Sequence, residues 1–242
     1  MAPKKGNTTL EELGYGEILL PSQEKRPMQA AVENKTGYEL YGDIYESFKK
    51  PPGVRPQVDP DNIVAGFSGA STRDLNVNLG LGILAPFLTI VPVVGNIFKA
   101  IGVMFASAEK VQVTYKDIRK DLITPLKLNK YVQGYEISPY VSATVKEKLR
   151  KGKGCVVCEV LKSGEFSVLG YSQDGADVKL DPTLLEGISP ENPAFSFHVT
   201  DYKYFDYKGP VRLPIAAQAL ELKLSDAGLF QTGEVMPVTI SG

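Results

Sequence analysis

Tryptophan is missing from the 242 residues, histidine occurs once and cysteine twice. Without Trp, any membrane-interface belt would rest on the 12 tyrosines. Two cysteines cannot build a disulfide scaffold, and a chain of this length buries roughly 70% of its unfolded surface without one. An excess of charge is lacking as well. The 27 Lys and Arg face 28 Asp and Glu, giving −1 overall and a pI of about 6.0. The broad basic field of a dedicated nucleic-acid binder is therefore excluded. After Lys4 and Lys5 no apolar run of signal-peptide length follows, so the reading is a chain that starts in the cytosol. P-loop, H-E-x-x-H and EF-hand motifs and internal repeats are all absent.

What is present is ordinary globular material, 43% hydrophobic and 23% charged, which excludes a disordered or collagenous chain. Thr8 or Thr9 can cap a short helix over Asn7–Glu12, ended by Gly14 and Gly16. Two or three short strands and a short helix at Asp43–Phe48 follow. Lys49–Pro60, with four prolines, reads as an extended connector. From Leu75 to Phe98 no residue is charged. That window has bilayer length, but Asn76, Asn78, Asn96, three glycines, Pro86 and Pro92 interrupt it. A strand over Asp74–Ile83 and then a Pro-bounded helix or loop fit better than a transmembrane helix. Val111–Tyr115 alternates as a strand, the charged stretch Lys116–Tyr131 leads into a second small helix, and Thr144–Arg150 is a basic amphipathic helix. Strands are predicted at Cys155–Leu161, Phe166–Tyr171, Ala194–Phe205 and Leu220–Leu224. Turns fall at Lys162–Glu165, Gln173–Gly175, Lys208–Pro210 and Asp226–Gly228. The fold class is α+β, a twisted, largely antiparallel sheet with short surrounding helices.

Possible chemical sites are few. Gly80-Leu-Gly-Ile-Leu-Ala85 has the spacing of a dinucleotide turn, but Pro86 and Pro92 sit where its helix must run. Cys155-Val-Val-Cys158 lies in a strand pattern. Residues three apart on a strand point to opposite faces, which disfavours an internal disulfide and leaves only an intermolecular one. Phe195, Phe197 and Val199 share one strand face, and His198 lies on the other with Ser196 and Thr200. A triad would have to use His198, and no nucleophile elbow or acid partner accompanies it. No enzyme, cofactor or metal is indicated. Lys146, Lys148, Arg150, Lys151 and Lys153 form a cation run, either a solvated helix face or a contact for anionic lipid headgroups.

Three stretches together resemble the gasdermin family, above all its compact bacterial members and the related fungal and early-animal forms. They are Leu13–Pro21 with Tyr41–Phe48, Asn76–Leu84 leading into the apolar segment, and Val156–Val168. The likeness runs over about residues 10–210. It implies a cell-death protein that is cytoplasmic when latent. Once released, it assembles as a large homo-oligomer in the inner or plasma membrane, in defence against phage. Two segments, near 62–115 and 155–205, then refold into membrane β-hairpins. The candidate membrane-inserting positions are Val77, Leu79, Leu81, Ile83, Val103, Phe105, Val111, Val113, Val157, Phe166, Val168, Phe195, Phe197 and Val199. Strands closed into a barrel would satisfy every backbone polar group in lipid.

The same resemblance implies a division into a pore-forming domain, 1–214, and a short C-terminal autoinhibitory peptide, 215–242. A large inhibitory domain has no room, and no lipidatable cysteine lies in Met1–Leu20. Release would follow a cut within about 212–228. Asp226, before Ala227, suits a caspase-like protease. The expected partners are an anionic lipid membrane, further copies of the chain and that protease, with no nucleic acid. The rival readings are control by a partner or a disulfide-linked dimer, and a non-lytic soluble interaction protein.

Overall fold

The structure is a computed structural model and describes residues 9–19, 25–64, 75–76, 94–188 and 195–241. Its strands are β1 (Gly16–Glu17), β2 (Gln29–Glu33), β3 (Tyr38–Asp43), β4 (Asp59–Ile63), β5 (Leu75–Asn76), β6 (Lys110–Lys116), β7 (Arg119–Leu122), β8 (Gly154–Tyr171), β9 (Ser196–Thr200), β10 (Tyr204–Leu224) and β11 (Phe230–Pro237). The helices are α1 (Val94–Met104), α2 (Pro125–Val132) and α3 (Ala143–Arg150), with 3-10 turns at Ile44–Ser47 and Pro182–Leu185. The chain divides into two compact units. The first holds the described residues of Met1–Leu10, Val64–Ile118 and Ser163–Leu213. The second holds Glu11–Ile63, Arg119–Lys162 and Pro214–Gly242.

The α+β expectation holds as a large antiparallel sheet with few helices. Several local expectations do not hold. Lys162–Glu165 is no turn, because β8 runs straight through it. The Ser163 hydroxyl bonds the Lys116 carbonyl at 2.6 Å and receives the Glu165 N–H at 3.1 Å, so the irregularity is stitched into the sheet. Nor does Lys208-Gly-Pro210 turn. The β9 ladder stops at Lys208↔Ser196, so Pro210 removes no bond from it. A Cβ on Gly209 would meet the Tyr207 ring. The break falls earlier, at Asp201 and Tyr202, both with positive φ, which splits the predicted Ala194–Phe205 strand into β9 and the start of β10. Residues Leu10–Gly14 form a turn, not a helix. Strands β4 and β7 carry no alternation signal. Pairing makes them, with the Asp61 N–H on Asp121 Oδ1 at 2.8 Å and Lys162 Nζ 2.7 Å from Asp121.

In the second unit, β8 residues pair with β2 at Gly154–Val156 and with β7 at Glu159–Lys162, while β10 carries β1 and β11. Two apolar layers cover opposite faces. One packs Phe48, Leu128, Val132 and Leu149 against Val156, Cys158, Leu222 and Phe230. Phe48 meets the Tyr131 and Phe230 rings edge-on at 5.5 and 5.6 Å. The other holds Ile18, Ala31, Cys155, Val157, Ala217, Val238 and Ile240. Cys155 and Cys158 thus lie in different layers, as strand periodicity requires, and both are free and buried.

The C-terminal segment belongs to this unit. Residue 215, where the autoinhibitory peptide was expected to begin, lies in mid-strand. Ile215, Ala216 and Ala217 are buried, and β10 pairs there with β1. After β11 the tail runs back over the sheet. Ile240 N–H reaches the Glu17 carbonyl and Leu19 N–H reaches that of Ile240, both at 2.9 Å. Gly16 is required here, since a Cβ would strike the Val238 and Thr239 backbone. Gly16→Ala is expected to cost about 1–3 kcal/mol by overpacking. Denaturant unfolding should show a lowered midpoint, and an unchanged one would mean that the tail does not hold this position.

Candidate functional site

The first unit shows a strict two-faced strand pattern. In β6 the residues Val111, Val113 and Tyr115 are fully buried, and Gln112, Thr114 and Lys116 lie between them, partly exposed. Residues directly opposite in an antiparallel ladder share a face. The register Val113↔Val168 and Tyr115↔Phe166 extends the apolar face into β8, and Thr114↔Ser167 and Lys116↔Glu165 extend the polar one. The β9–β10 ladder repeats it. Phe197↔Tyr207 and Val199↔Phe205 are apolar pairs, and Ser196↔Lys208, His198↔Asp206 and Thr200↔Tyr204 are polar ones. Phe166 stacks on Tyr207 at 4.8 Å, which joins the apolar faces of the two ladders.

The polar face is tied across strands by Asp206. Its carboxylate accepts Lys116 Nζ at 2.9 Å and the Ser167 hydroxyl, and His198 Nε2 stands 3.9 Å away. Lys208 pairs with Glu165 at 3.5 Å. These groups line an open cavity of about 510 Å³. His198 is two-thirds exposed on this face, as its strand phase predicted. The sequence reading found no acid partner for His198, and the ladder sets Asp206 opposite it; among the described residues no cluster of His, Cys, Asp and Glu could hold a metal.

The apolar face is buried along β6 and β8, while Phe197 and Val199 of β9 are half-buried. Ile97, Ala100, Ile101 and Met104 recur at helical spacing along α1 and are buried, followed by Phe105. A Cβ on Gly170, opposite Val111, would collide with the Phe105 ring. Helix α1 therefore seats on the sheet through a glycine gap. Val103 points the other way and is 52% exposed.

The candidate residues thus separate. Val111, Val113, Phe166, Val168, Phe197 and Val199 come together on one face, with Phe195 beside it, 6.5 Å from Tyr207 between ring centres. Val103 lies on helix α1 and Phe105 just after it, not on a strand. Val157 is buried in the second unit. Val77, Leu79, Leu81 and Ile83 lie outside the described residues. Sequence reasoning missed Tyr115, Phe205 and Tyr207, which occupy the same apolar face. For Tyr115 the signal was the period of two carried one step past Val113, whereas Phe205 and Tyr207 lie beyond the break at Asp201 and Tyr202. Of the cation run, Lys151 pairs with Glu147 and Lys153 with Glu33, each at 2.6 Å, and Lys146 donates to the Pro139 carbonyl at 3.0 Å. The Lys151 ammonium holds the Glu147 carboxyl below its usual range. Lys148 and Arg150 make no ion pair among the described residues. Asp226 is exposed in the β10–β11 turn, closed by Ser225 N–H to the Leu229 carbonyl at 2.9 Å and by Gly228 at φ 77°.

No helix among the described residues is long and apolar enough to cross a membrane. The fold is that of a gasdermin. The solved structure of a bacterial gasdermin from Bradyrhizobium tropiciagri matches 96% of this chain and 90% of its own, with a TM-score of 0.57 at 15% identity. Bacterial gasdermins from Vitiosangium sp. and Lysobacter enzymogenes are each 23% identical. The first aligns over 215 residues, 89% of this chain and 79% of the relative, and the second over 229 residues, 93% and 82%. The Bacterial Gasdermin Family matches residues 18–234, and the chain belongs to that family. The resemblance read from Leu13–Pro21, Asn76–Leu84 and Val156–Val168 is borne out.

The seat of α1 is directly testable. Gly170→Val should push Phe105 and α1 off the sheet at a cost of about 1–3 kcal/mol. Hydrogen exchange in Val94–Met104 should accelerate, whereas unchanged protection there would show that α1 is held by something else.

Proposed function

We propose that this chain is a latent pore-forming protein of regulated cell death, acting in defence against phage. Release lets the segments near 62–115 and 155–205 refold into membrane β-hairpins and assemble in a lipid bilayer as a large β-barrel of many copies. The observation that carries this reading is the two-faced ladder. Val111, Val113, Tyr115, Phe166, Val168, Phe197, Val199, Phe205 and Tyr207 supply a lipid-facing surface, and the Asp206 network supplies a water-facing one. That alternation is what a membrane barrel requires. Family membership supports the same reading. The chemistry is assembly and not catalysis, with the chain soluble before release and in the inner or plasma membrane after it.

Control is proposed to lie in the C-terminal segment. Within 212–228, residues Leu213–Ala217 are buried in β10, and the stretch from Ser225 to Gly228 is the accessible turn. A cut there separates β11 and the tail from β10. It leaves 215–224 in the sheet, so the releasable peptide is shorter than 215–242. Asp226 remains the proposed site for a caspase-like protease. A disulfide-linked dimer is less well supported, because both thiols are buried.

Dye release from anionic vesicles tests the reading. The intact chain should leak little. A chain carrying a specific protease site at Ser225–Gly228 should leak strongly after cutting. Phe197→Asp should stay folded and lose that leakage, since a charge facing lipid at mid-bilayer costs roughly 2–4 kcal/mol. A cut product that stays folded and non-lytic would remove the C-terminal peptide as inhibitor. A fully lytic Phe197→Asp would move the membrane strands elsewhere.

A further inference from the structure

The C-terminal tail fills a site of its own. The main path of the sheet runs β1-β10-β8-β2-β3, which puts β1 and β3 at its two ends. The tail Val238–Ser241 lies between those ends and parallel to both, with Ile240 opposite Ile18 and Tyr38. Its backbone bonds alternate sides. The Ile240 N–H donates to the Glu17 carbonyl, and the Ile240 carbonyl accepts the Leu19 N–H. The Thr239 carbonyl accepts the Tyr38 N–H at 2.8 Å, and the Ser241 N–H donates to the Tyr38 carbonyl at 3.0 Å. The side chains alternate as well. Val238 and Ile240 are fully buried in the apolar layer of Ile18, Cys155 and Ala217, and Thr239 and Ser241 are half-buried. Both walls are shaped to the tail. A Cβ on Gly16 would come within 2.3 Å of the Val238 carbonyl carbon, and one on Gly37 within 2.4 Å of the Thr239 carbonyl oxygen. Asn34 Nδ2 donates to Ser241 Oγ at 2.8 Å. Ahead of the tail, β11 lies along β10 from Leu224↔Phe230 to Gln218↔Pro237. A cut in Ser225–Gly228 breaks one peptide bond and none of these contacts. Main-chain bonds on the strand edges, with alternate side chains in pockets, are the geometry of strand addition.

We propose that the channel between β1 and β3, continued along the edge of β10, is a peptide-binding site of the strand-addition type, and that its ligand is the free C-terminal peptide of this chain. The site reads an extended strand with apolar residues two apart and a hydroxyl after the second, Val238-Thr-Ile240-Ser241. A cut turns that peptide into an exchangeable ligand and does not by itself expel it. Emptying the site leaves β1 and β3 with open edges, which peptide supplied from solution closes again. The inference deepens the control reading and rests on it for the place of the cut.

The test cuts the full chain at a specific protease site placed in Ser225–Gly228 and passes it through gel filtration, where the peptide should co-elute with the body. A fluorescent synthetic peptide, Leu229–Gly242, should then exchange into the cut chain and gain anisotropy, and the uncut chain should take up none. Peptide carrying Ile240→Asp should bind at least about tenfold more weakly, the factor that full burial of one such side chain supplies. In a Cys158→Ala background, Cys155 should react with a maleimide once the cut chain is diluted, and excess wild-type peptide should protect it again. Leakage of anionic vesicles by the cut chain should fall as that peptide is added. Loss of the peptide on cutting with no rebinding, whether or not the body stays folded, or equal binding of the Ile240→Asp peptide, overturns this inference and leaves the pore reading standing. Exchangeable binding without leakage of any vesicle, cut or uncut, supports the peptide site and overturns the pore reading.

Discussion

An apolar sheet face cannot be left in water, and the rest of this structure follows from that constraint. The ladders β6–β8 and β9–β10 carry large apolar side chains on one face, among them Tyr115, Phe166 and Phe205, each fully buried. Fully burying one such side chain contributes about 1.5–3 kcal/mol. Something must therefore cover the face for as long as the protein is soluble. Beside Val111, the Phe105 ring that follows helix α1 packs where Gly170 leaves room for it. Strands that wide could be stabilised equally well by lipid on the same face. The proposed switch is thus an exchange of one apolar cover for another, with the strand register unchanged.

The opposite face makes that exchange feasible. Lys116, Ser167 and Asp206 satisfy one another across strands, as do Lys208 and Glu165. A charge network of this kind would be expensive in lipid but tolerable beside water. It lies wholly on the polar face, so in the proposed switch the β6–β8 and β9–β10 ladders stay joined through it while the apolar face changes partner. The second unit is built differently, with both sheet faces buried under separate layers. Its buried Tyr15 hydroxyl donates to Glu159, which also takes Lys120 at 3.1 Å, and burial with that carboxylate pushes the Tyr15 phenol well up.

Much of this was legible in the sequence, for identifiable reasons. Alternation at Val111–Tyr115 and Phe195–Thr200 gave strands, faces and the exposed position of His198. The i, i+3 spacing of Cys155 and Cys158 placed the two thiols on opposite faces. The Asp-Ala-Gly signal marked the β10–β11 turn. What was hidden was long-range. Gly164 and Pro210 look like turn residues, yet pairing carries β8 and β10 through both. Strands β4 and β7 hold Asp59, Asp61, Lys120 and Asp121, which no propensity would place in a sheet without the partner strand.

The most direct measurement of the central claim is a residue-by-residue comparison of the two faces. Single cysteines, in a background lacking Cys155 and Cys158, would be labelled with an environment-sensitive fluorophore at Val113, Val168 and Phe197, and at Thr114, Ser167 and Ser196. On activation with anionic vesicles, the first three should shift to the blue and be quenched by lipid-borne quenchers. The second three should stay accessible to an aqueous quencher. If both sets respond alike, or if the polar-face positions enter lipid, the strands do not insert in the register that the soluble structure prepares.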